Sequence, residues 1–232
     1  MLSRGFKLLL PPACPLCGQT FPVDWDSVFC ERCLAGILPL PPSRCSRCSL
    51  PFAGTENSSH LCGRCIQSLP PYQEVFAVGL YEQALRRAVH QFKFNDRVGL
   101  DLSLGKLLER AVNADKVFDL VIPVPLSRQR LRQRCYNQAL LLARQVAGRR
   151  NLPLAGDQLI KIRETEAQQS LSAREREKNL RGVFEMRGSV FGKRILLIDD
   201  VMTTGTTVAC CSRVLIEHGA AEVAVAVLAR AG

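Results

Sequence analysis

Apolar positions recur in two different ways on either side of Tyr72. After it, short apolar runs alternate with stretches in which apolar residues return every three or four positions, the signatures of strand and helix. Residues 75–80 predict a short strand. Leu85, Val89 and Phe92 fall at helical spacing within 82–94, and residues 102–112 predict a second amphipathic helix. Residues 119–124, DLVIPV, predict an apolar strand ended by Pro123 and Pro125. A helix over 137–149 would turn Leu140, Leu141, Ala143 and Val146 inward. Short strands are expected at 159–162 and 183–186, with a polar, mobile segment at 164–172 between them. The last elements are a buried strand at 195–198, a helix over 204–218 closed by Gly219, and a strand at 223–228. Strands alternating with helices predict an α/β domain, a mainly parallel sheet flanked by helices on both faces. The runs ILLI and VAVAVL are apolar at every position, as strands buried on both sides are.

Before Tyr72 this periodicity is missing. Prolines are frequent there, and eight of the eleven cysteines lie there. Pro70 and Pro71 mark the junction, so the chain divides into a small module at 1–71 and a larger domain at 72–232. The eight cysteines form four C-x-x-C pairs: Cys14/Cys17, Cys30/Cys33, Cys45/Cys48 and Cys62/Cys65. Each pair turns two thiolates toward one tetrahedral ion, and two pairs complete a Cys₄ zinc site. Two structural Zn²⁺ ions are expected, shared in sequence as a double zinc ribbon, with a crossed arrangement as the alternative. Gly18 and Gly63, each close behind a cysteine, suit a tight knuckle turn. His60 reads as a surface residue. Disulfides are the competing use of such cysteines, but adjacent C-x-x-C pairs make a poor disulfide framework. Metal also supplies the stability that roughly 60 residues with little core lack.

Charge changes the picture next. The formal net charge is +10; residues 1–72 contribute +2 and the remainder +8. A basic body points to phosphorylated ligands or nucleic acid, against the plain alternative of a cationic soluble surface. No run approaches the ~20 apolar residues of a membrane span. The apolar stretch Leu8–Leu10 is too short for a signal-peptide core and is followed at once by prolines. The expectation is a cytoplasmic protein with no membrane insertion.

The candidate chemistry centres on residues 195–208, ILLIDDVMTTGTTV. Asp199 and Asp200 are expected at the C-terminal end of a central strand, where open α/β sheets bind ligands. Thr203, Thr204, Gly205, Thr206 and Thr207 then open a helix, which aims backbone N–H groups at an anion. Two carboxylates beside a phosphate site repel a bare anion. They make sense if the ligand also brings hydroxyls or Mg²⁺, as phosphoribosyl pyrophosphate (PRPP) does. The lysine of a P-loop is absent. The segment resembles the PRPP motif of type I phosphoribosyltransferases. That resemblance implies their fold, with Asp199 and Asp200 on the ribose hydroxyls and Thr203–Thr207 on the 5-phosphate, Mg²⁺ accompanying PRPP.

A second strand and loop precede it. Arg128, Arg130, Arg132 and Arg134 alternate by two, which on an extended segment places all four on one side. Such a row can grip pyrophosphate or track a nucleic-acid backbone; a solvated basic surface is the plain reading. With Pro123-Val124-Pro125-Leu126, Arg134-Cys135-Tyr136-Asn137-Gln138, Lys93-Phe94 and the Gln169 to Arg176 stretch continuing to Asn179 and Phe184, the chain resembles the ComF family, also known from GntX-type proteins. Cys135 stands where that family carries Gly. The resemblance implies a hood over the PRPP site at 164–178, which by charge alone would be a solvated helix face. It also implies a role in natural transformation or use of imported DNA, with single-stranded DNA and DNA-uptake proteins as partners.

Three functions stay open at this level. The first is a PRPP-binding protein that handles single-stranded DNA. The second is an active phosphoribosyltransferase, and the third a scaffold whose zinc module binds a partner. After residues 223–228 only Ala229, Arg230, Ala231 and Gly232 follow, leaving little to recognise a base, which favours the first. Aromatic residues make up 6%, so no stacking platform is evident. Phe92, Phe94 and Tyr136 read equally as core or ligand contacts.

Overall fold

The structure is a computed structural model that describes residues 13–20, 28–52, 59–94, 99–163 and 182–232. Its centre is a four-stranded, all-parallel sheet in the order β1 (Val75–Leu80), β6 (Glu222–Arg230), β5 (Arg194–Met202), β2 (Leu120–Pro123). The alternation of β5 and β6 explains their unbroken apolar character. Leu196, Ile198, Ala224, Ala226 and Leu228 face one core; Ile195, Leu197, Val223, Val225 and Val227 face the other. The helices α3 (Gln83–Phe94), α4 (Leu100–Ala111) and α6 (Gln138–Arg150) cover the first face, and α7 (Thr206–Glu217) the second. Leu85, Val89 and Phe92 are all fully buried, as their spacing predicts. On α6 the inward face is Ala139, Leu142, Ala143, Val146 and Ala147, with Leu140 and Leu141 at its margins.

The structure adds one pairing that the sequence left open and departs from the expectation in two places. The segments β3 (Leu159–Lys161) and β4 (Phe184–Met186) do not join the main sheet; they pair antiparallel with each other and pack on the α7 side. The strand β5 runs on to Met202, so Asp199 and Asp200 lie within it, Asp199 in register with Val227. The arginine row is not extended. Residues Arg128–Arg134 form a helix, α5, whose N-cap Ser127 accepts the Arg130 amide. At 100° per residue, Arg128 and Arg132 share one side while Arg130 and Arg134 share the other. The hood segment at 164–178 lies outside the described residues.

The cysteine module is not a separate bead. Cys14, Leu16, Phe29, Cys30 and Cys33 join the core on the α3 face, whereas Cys45, Cys48, Cys62 and Cys65 join the core on the α7 face. Two single-turn helices, α1 (Glu31–Ala35) and α2 (Gly63–Gln67), carry the second pair of each set. The segment between the sets passes along the free edge of β1. The Leu80 amide donates to the Leu38 carbonyl at 2.8 Å, and a Cβ at Gly79 would sit 2.3 Å from that oxygen. The edge strand is thereby covered, which removes an open template for pairing.

Backbone angles explain two residues singled out by sequence. Gly18 follows the first knuckle at φ 76°, but its counterpart after Cys48 is Ser49, at φ 53°. Gly63 instead opens α2. Ser49 is buried, and its hydroxyl donates to the Val75 carbonyl at 2.7 Å, tying that knuckle to β1. Cys135 caps α5 in the left-handed region, φ 60° and ψ −12°. A side chain there costs on the order of 1 kcal/mol relative to glycine. The Cys135→Gly variant is therefore expected to gain about 0.5–1 kcal/mol in urea unfolding; a loss of stability contradicts the assigned backbone angle.

Candidate functional site

Beyond Met202 the chain turns through Thr203 and Thr204 into α7, which Gly205 caps at φ 78° and ψ 3°. A Cβ on Gly205 would stand 2.5 Å from Met202 Cε and 3.4 Å from the Tyr72 hydroxyl. The positive φ disfavours any side chain there, and a Cβ would also require the end of the Met202 side chain to shift. The hydroxyls of Thr204 and Thr206 are 2.8 Å apart, and Thr203 and Thr207 are exposed. The first-turn amides of a helix have no acceptor inside it and carry its positive end. The Thr206 amide reaches Thr204 Oγ1 at 3.4 Å, and the turn over residues 203–207 is a donor-rich helix start of the kind that suits an anion.

The carbonyls of the same loop are turned away and held. Arg230, fully buried at the end of β6, donates from Nη1 to Met202 O at 3.1 Å, to Thr203 O at 2.6 Å and to Ala231 O. Its Nε donates to Cys48 O at 2.9 Å. Arg64, next to Cys65 on α2, donates to Thr204 O at 3.4 Å. Tyr72 packs against Cys48 and Cys65, and burial pushes its hydroxyl above the usual phenol range. Sequence reasoning did not find Arg230, Arg64 or Tyr72. The available signal was one arginine closing the otherwise apolar run VAVAVLAR.

Asp200 is buried and ion-paired with Lys93 Nζ at 2.8 Å. Lys93 stands at the C-terminal end of α3; in the sequence it was visible only as half of a Lys-Phe step. Asp199 Oδ1 accepts the Asp200 amide at 2.8 Å. Burial first, and the neighbouring Asp200 charge second, push Asp199 up to about 7.

The helix α5 leaves the adjoining strand β2 on the same edge of the sheet, where Val124 N donates to Ile198 O at 2.8 Å. Asn137 fastens its far end, donating to Val124 O at 3.1 Å and capping α6 through the Ala139 amide. Arg128, Arg130 and Arg132 are exposed, and Arg134 donates to Gln138 Oε1 at 3.3 Å. Between α5–α6 and the β3–β4 pair lies a groove of about 980 Å³, lined by Arg128, Arg144, Lys161, Arg163 and Arg187 with, among the described residues, a single acid, Asp157. Leu131 and Ile162 expose apolar surface in it. Phe92 is core, and Tyr136, half-buried, donates to its carbonyl.

The cysteine sulfurs gather in sequential order, as Cys14, Cys17, Cys30, Cys33 and as Cys45, Cys48, Cys62, Cys65, each set within 4.8 Å. Cys17 and Cys30 Sγ are 3.6 Å apart, Cys48 and Cys62 Sγ 3.7 Å. Tetrahedral zinc with Zn–S bonds of about 2.3 Å places its sulfurs roughly 3.8 Å apart, so both sets fit the ion. Burial pushes Cys33, Cys48 and Cys65 up, while the Gln19 amide brings Cys17 down to about 6. Burial opposes this at Cys45, but the amides of Cys48 and Cys62 bring it to about 7. His60 is in neither set; it stacks on Phe52 at 4.3 Å.

Comparison with known proteins agrees with this anatomy. Residues 5–66 match the double zinc ribbon domain and residues 135–232 the phosphoribosyl transferase domain. The chain is 34% identical over 230 residues to the DNA utilization protein YhgH of Salmonella typhimurium, covering 96% of this chain and 99% of that one. It is 31% identical over 221 residues to competence protein F of Haemophilus influenzae, covering 87% and 96%. Among solved structures, the allosteric regulatory enzyme of purine biosynthesis is similar, with 28% identity and a TM-score of 0.41 over 56% of this chain and 26% of that one.

The raised Asp199 makes stability fall as pH rises, because the folded protein binds this proton more tightly than the unfolded chain, whose value is 3.8. Asp199→Asn removes that loss. In ligand-free thermal melts its advantage over the parent should be absent below about pH 4, grow to pH 7 and then level, reaching several degrees. An advantage independent of pH contradicts the assignment.

Proposed function

The chain belongs to the ComF family, and on that footing we propose that it binds PRPP and handles imported single-stranded DNA on the cytoplasmic side of the membrane. On this reading residues 1–71 are the ribbon module and 72–232 the phosphoribosyltransferase-like domain. The observation that carries the proposal is the loop of residues 203–207, a helix start rich in amide and hydroxyl donors and bonded through its carbonyls, directly beyond a pair of acids. Phosphate meets the amides and threonine hydroxyls of Thr203–Thr207. Asp199 and Asp200 accept the ribose hydroxyls, and Asp200 exchanges its pairing with Lys93 for the ligand.

Mg²⁺ comes with the pyrophosphate. The acid pair offers hard oxygen donors but only two residues, which suits an ion that keeps waters and substrate phosphates as its other ligands. It would offset pyrophosphate charge; that α5, with Arg128 to Arg134, follows directly after β2 supports the same role for these arginines. The relatives named for DNA utilization and competence support nucleic acid as the second partner. The basic groove supports it too: cations beside exposed apolar side chains suit a flexible strand, whose bases are free to stack. Among the described residues no helix is long and apolar enough to cross a membrane.

Calorimetry in Mg²⁺ should show PRPP binding that is abolished in the Asp199→Ala, Asp200→Ala double variant. Unchanged affinity overturns the phosphoribosyl reading, and pyrophosphate release with a base or nucleotide present marks an active transferase. For DNA, Arg144→Glu with Arg163→Glu should weaken oligonucleotide binding at least about tenfold and flatten its dependence on salt. A parent affinity insensitive to salt contradicts phosphate contacts.

A further inference from the structure

The two cysteine sets differ in what they touch. The first packs on α3, where Gly36 O accepts the Ala84 amide and the Gln91 side chain donates to Leu16 O. The second is bonded to the phosphate loop itself. Arg230 spans the gap: one nitrogen holds the carbonyl of Cys48, a ligand residue, and another holds the carbonyls of Met202 and Thr203. Arg64, one residue from Cys65, holds Thr204 O. Four thiolates around Zn²⁺ carry a net charge of about −2, and these two guanidinium groups balance it. No carboxylate pairs with Arg230 among the described residues, and its Nη2 is buried without a hydrogen-bond partner. Ordering of this knuckle and ordering of the loop thus share one rigid, planar group.

We propose that Arg230 couples the second Cys₄ site to the phosphate loop, so that the metal at Cys45, Cys48, Cys62 and Cys65 and the phosphoribosyl ligand bind with positive cooperativity, while the first site stands apart. Arg230 is a positioning residue; it acts through the loop backbone. The loop amides reach an anion in the correct direction only while their carbonyls are held, and those carbonyls are held by groups that the folded knuckle keeps in place. Linkage is reciprocal. Whatever the second site adds to phosphate affinity, bound phosphate must return as an equal gain in affinity for that metal. The inference rests on the phosphoribosyl reading above and extends it to the regulation of the same site.

The test uses the full-length zinc-loaded protein. A colorimetric chelator withdraws the two zincs with and without saturating PRPP and Mg²⁺, and alkylation followed by mass spectrometry identifies which cysteines become free. At equilibrium with the chelator, PRPP is expected to tighten zinc retention at Cys45, Cys48, Cys62 and Cys65 by at least about fivefold and to leave Cys14, Cys17, Cys30 and Cys33 unchanged. Arg230→Lys keeps the charge but not the fork; it should still hold two zincs and lose the protection. Calorimetric binding of PRPP with equal release from both sites overturns the coupling alone, as does full protection in Arg230→Lys. No PRPP binding at all overturns the phosphoribosyl reading and the coupling with it. Because the first comparison needs only the parent chain, a variant that fails to fold does not spare the proposal.

Discussion

A loop that presents its amides to an anion must find other partners for its carbonyls, since buried backbone acceptors are costly to leave unpaired. Here those partners are side chains. Arg230 takes Met202 O and Thr203 O, and Arg64 takes Thr204 O. The buried guanidinium is tolerated because it is bonded on several sides and lies beside a cluster of thiolates. Gly205 completes the arrangement by allowing Met202 and the Tyr72 hydroxyl to close in beneath the turn. Much of the rest of the molecule can be seen as what keeps that arginine at the end of β6 and the acids of β5 in register beside it.

The cysteine module contributes to this through its two halves separately. One half adds to the core under α3, α4 and α6, and the other to the core under α7. The segment joining them covers β1. A ribbon tethered at one point would leave the sheet indifferent to it; a ribbon that straddles an edge strand makes its own folding part of the sheet's stability. Ser49 shows the same dependence in small. It accepts a left-handed backbone, where its counterpart in the first knuckle is glycine, and gains a buried bond to Val75 O.

Elements with strong periodicity were legible in the sequence. The strands β1, β2, β5 and β6 and helices α3, α4, α6 and α7 lie within a few residues of their expected positions, because burial on one or two faces dictates their composition. Two four-cysteine sites were legible as well, since C-x-x-C spacing restricts each pair's geometry tightly; the sequential sharing was expected with a crossed arrangement left open, and the sulfurs gather sequentially. Arg128–Arg134 was misread because alternation by two fits a strand only when nothing else decides; Ser127 supplies a helix cap, which outweighs it. The pairing of β3 with β4 was not legible, because a three-residue strand carries no information about its partner. Arg230 and Lys93 were not assigned roles, because the contacts that define them lie 182 residues from Cys48 and across the sheet at Asp200. Asp199 and Asp200 were recognisable by type and spacing, but their unequal environments were not.

A structure of the complex addresses the placement of ligand and loop directly. Crystals grown with PRPP and Mg²⁺ should show the 5-phosphate within hydrogen-bond distance of the amides of residues 203–207, with Asp199 and Asp200 on the ribose hydroxyls and Lys93 released from Asp200. A phosphoribosyl group bound elsewhere on the basic surface, with that loop empty and the Lys93–Asp200 pair intact, would contradict the account.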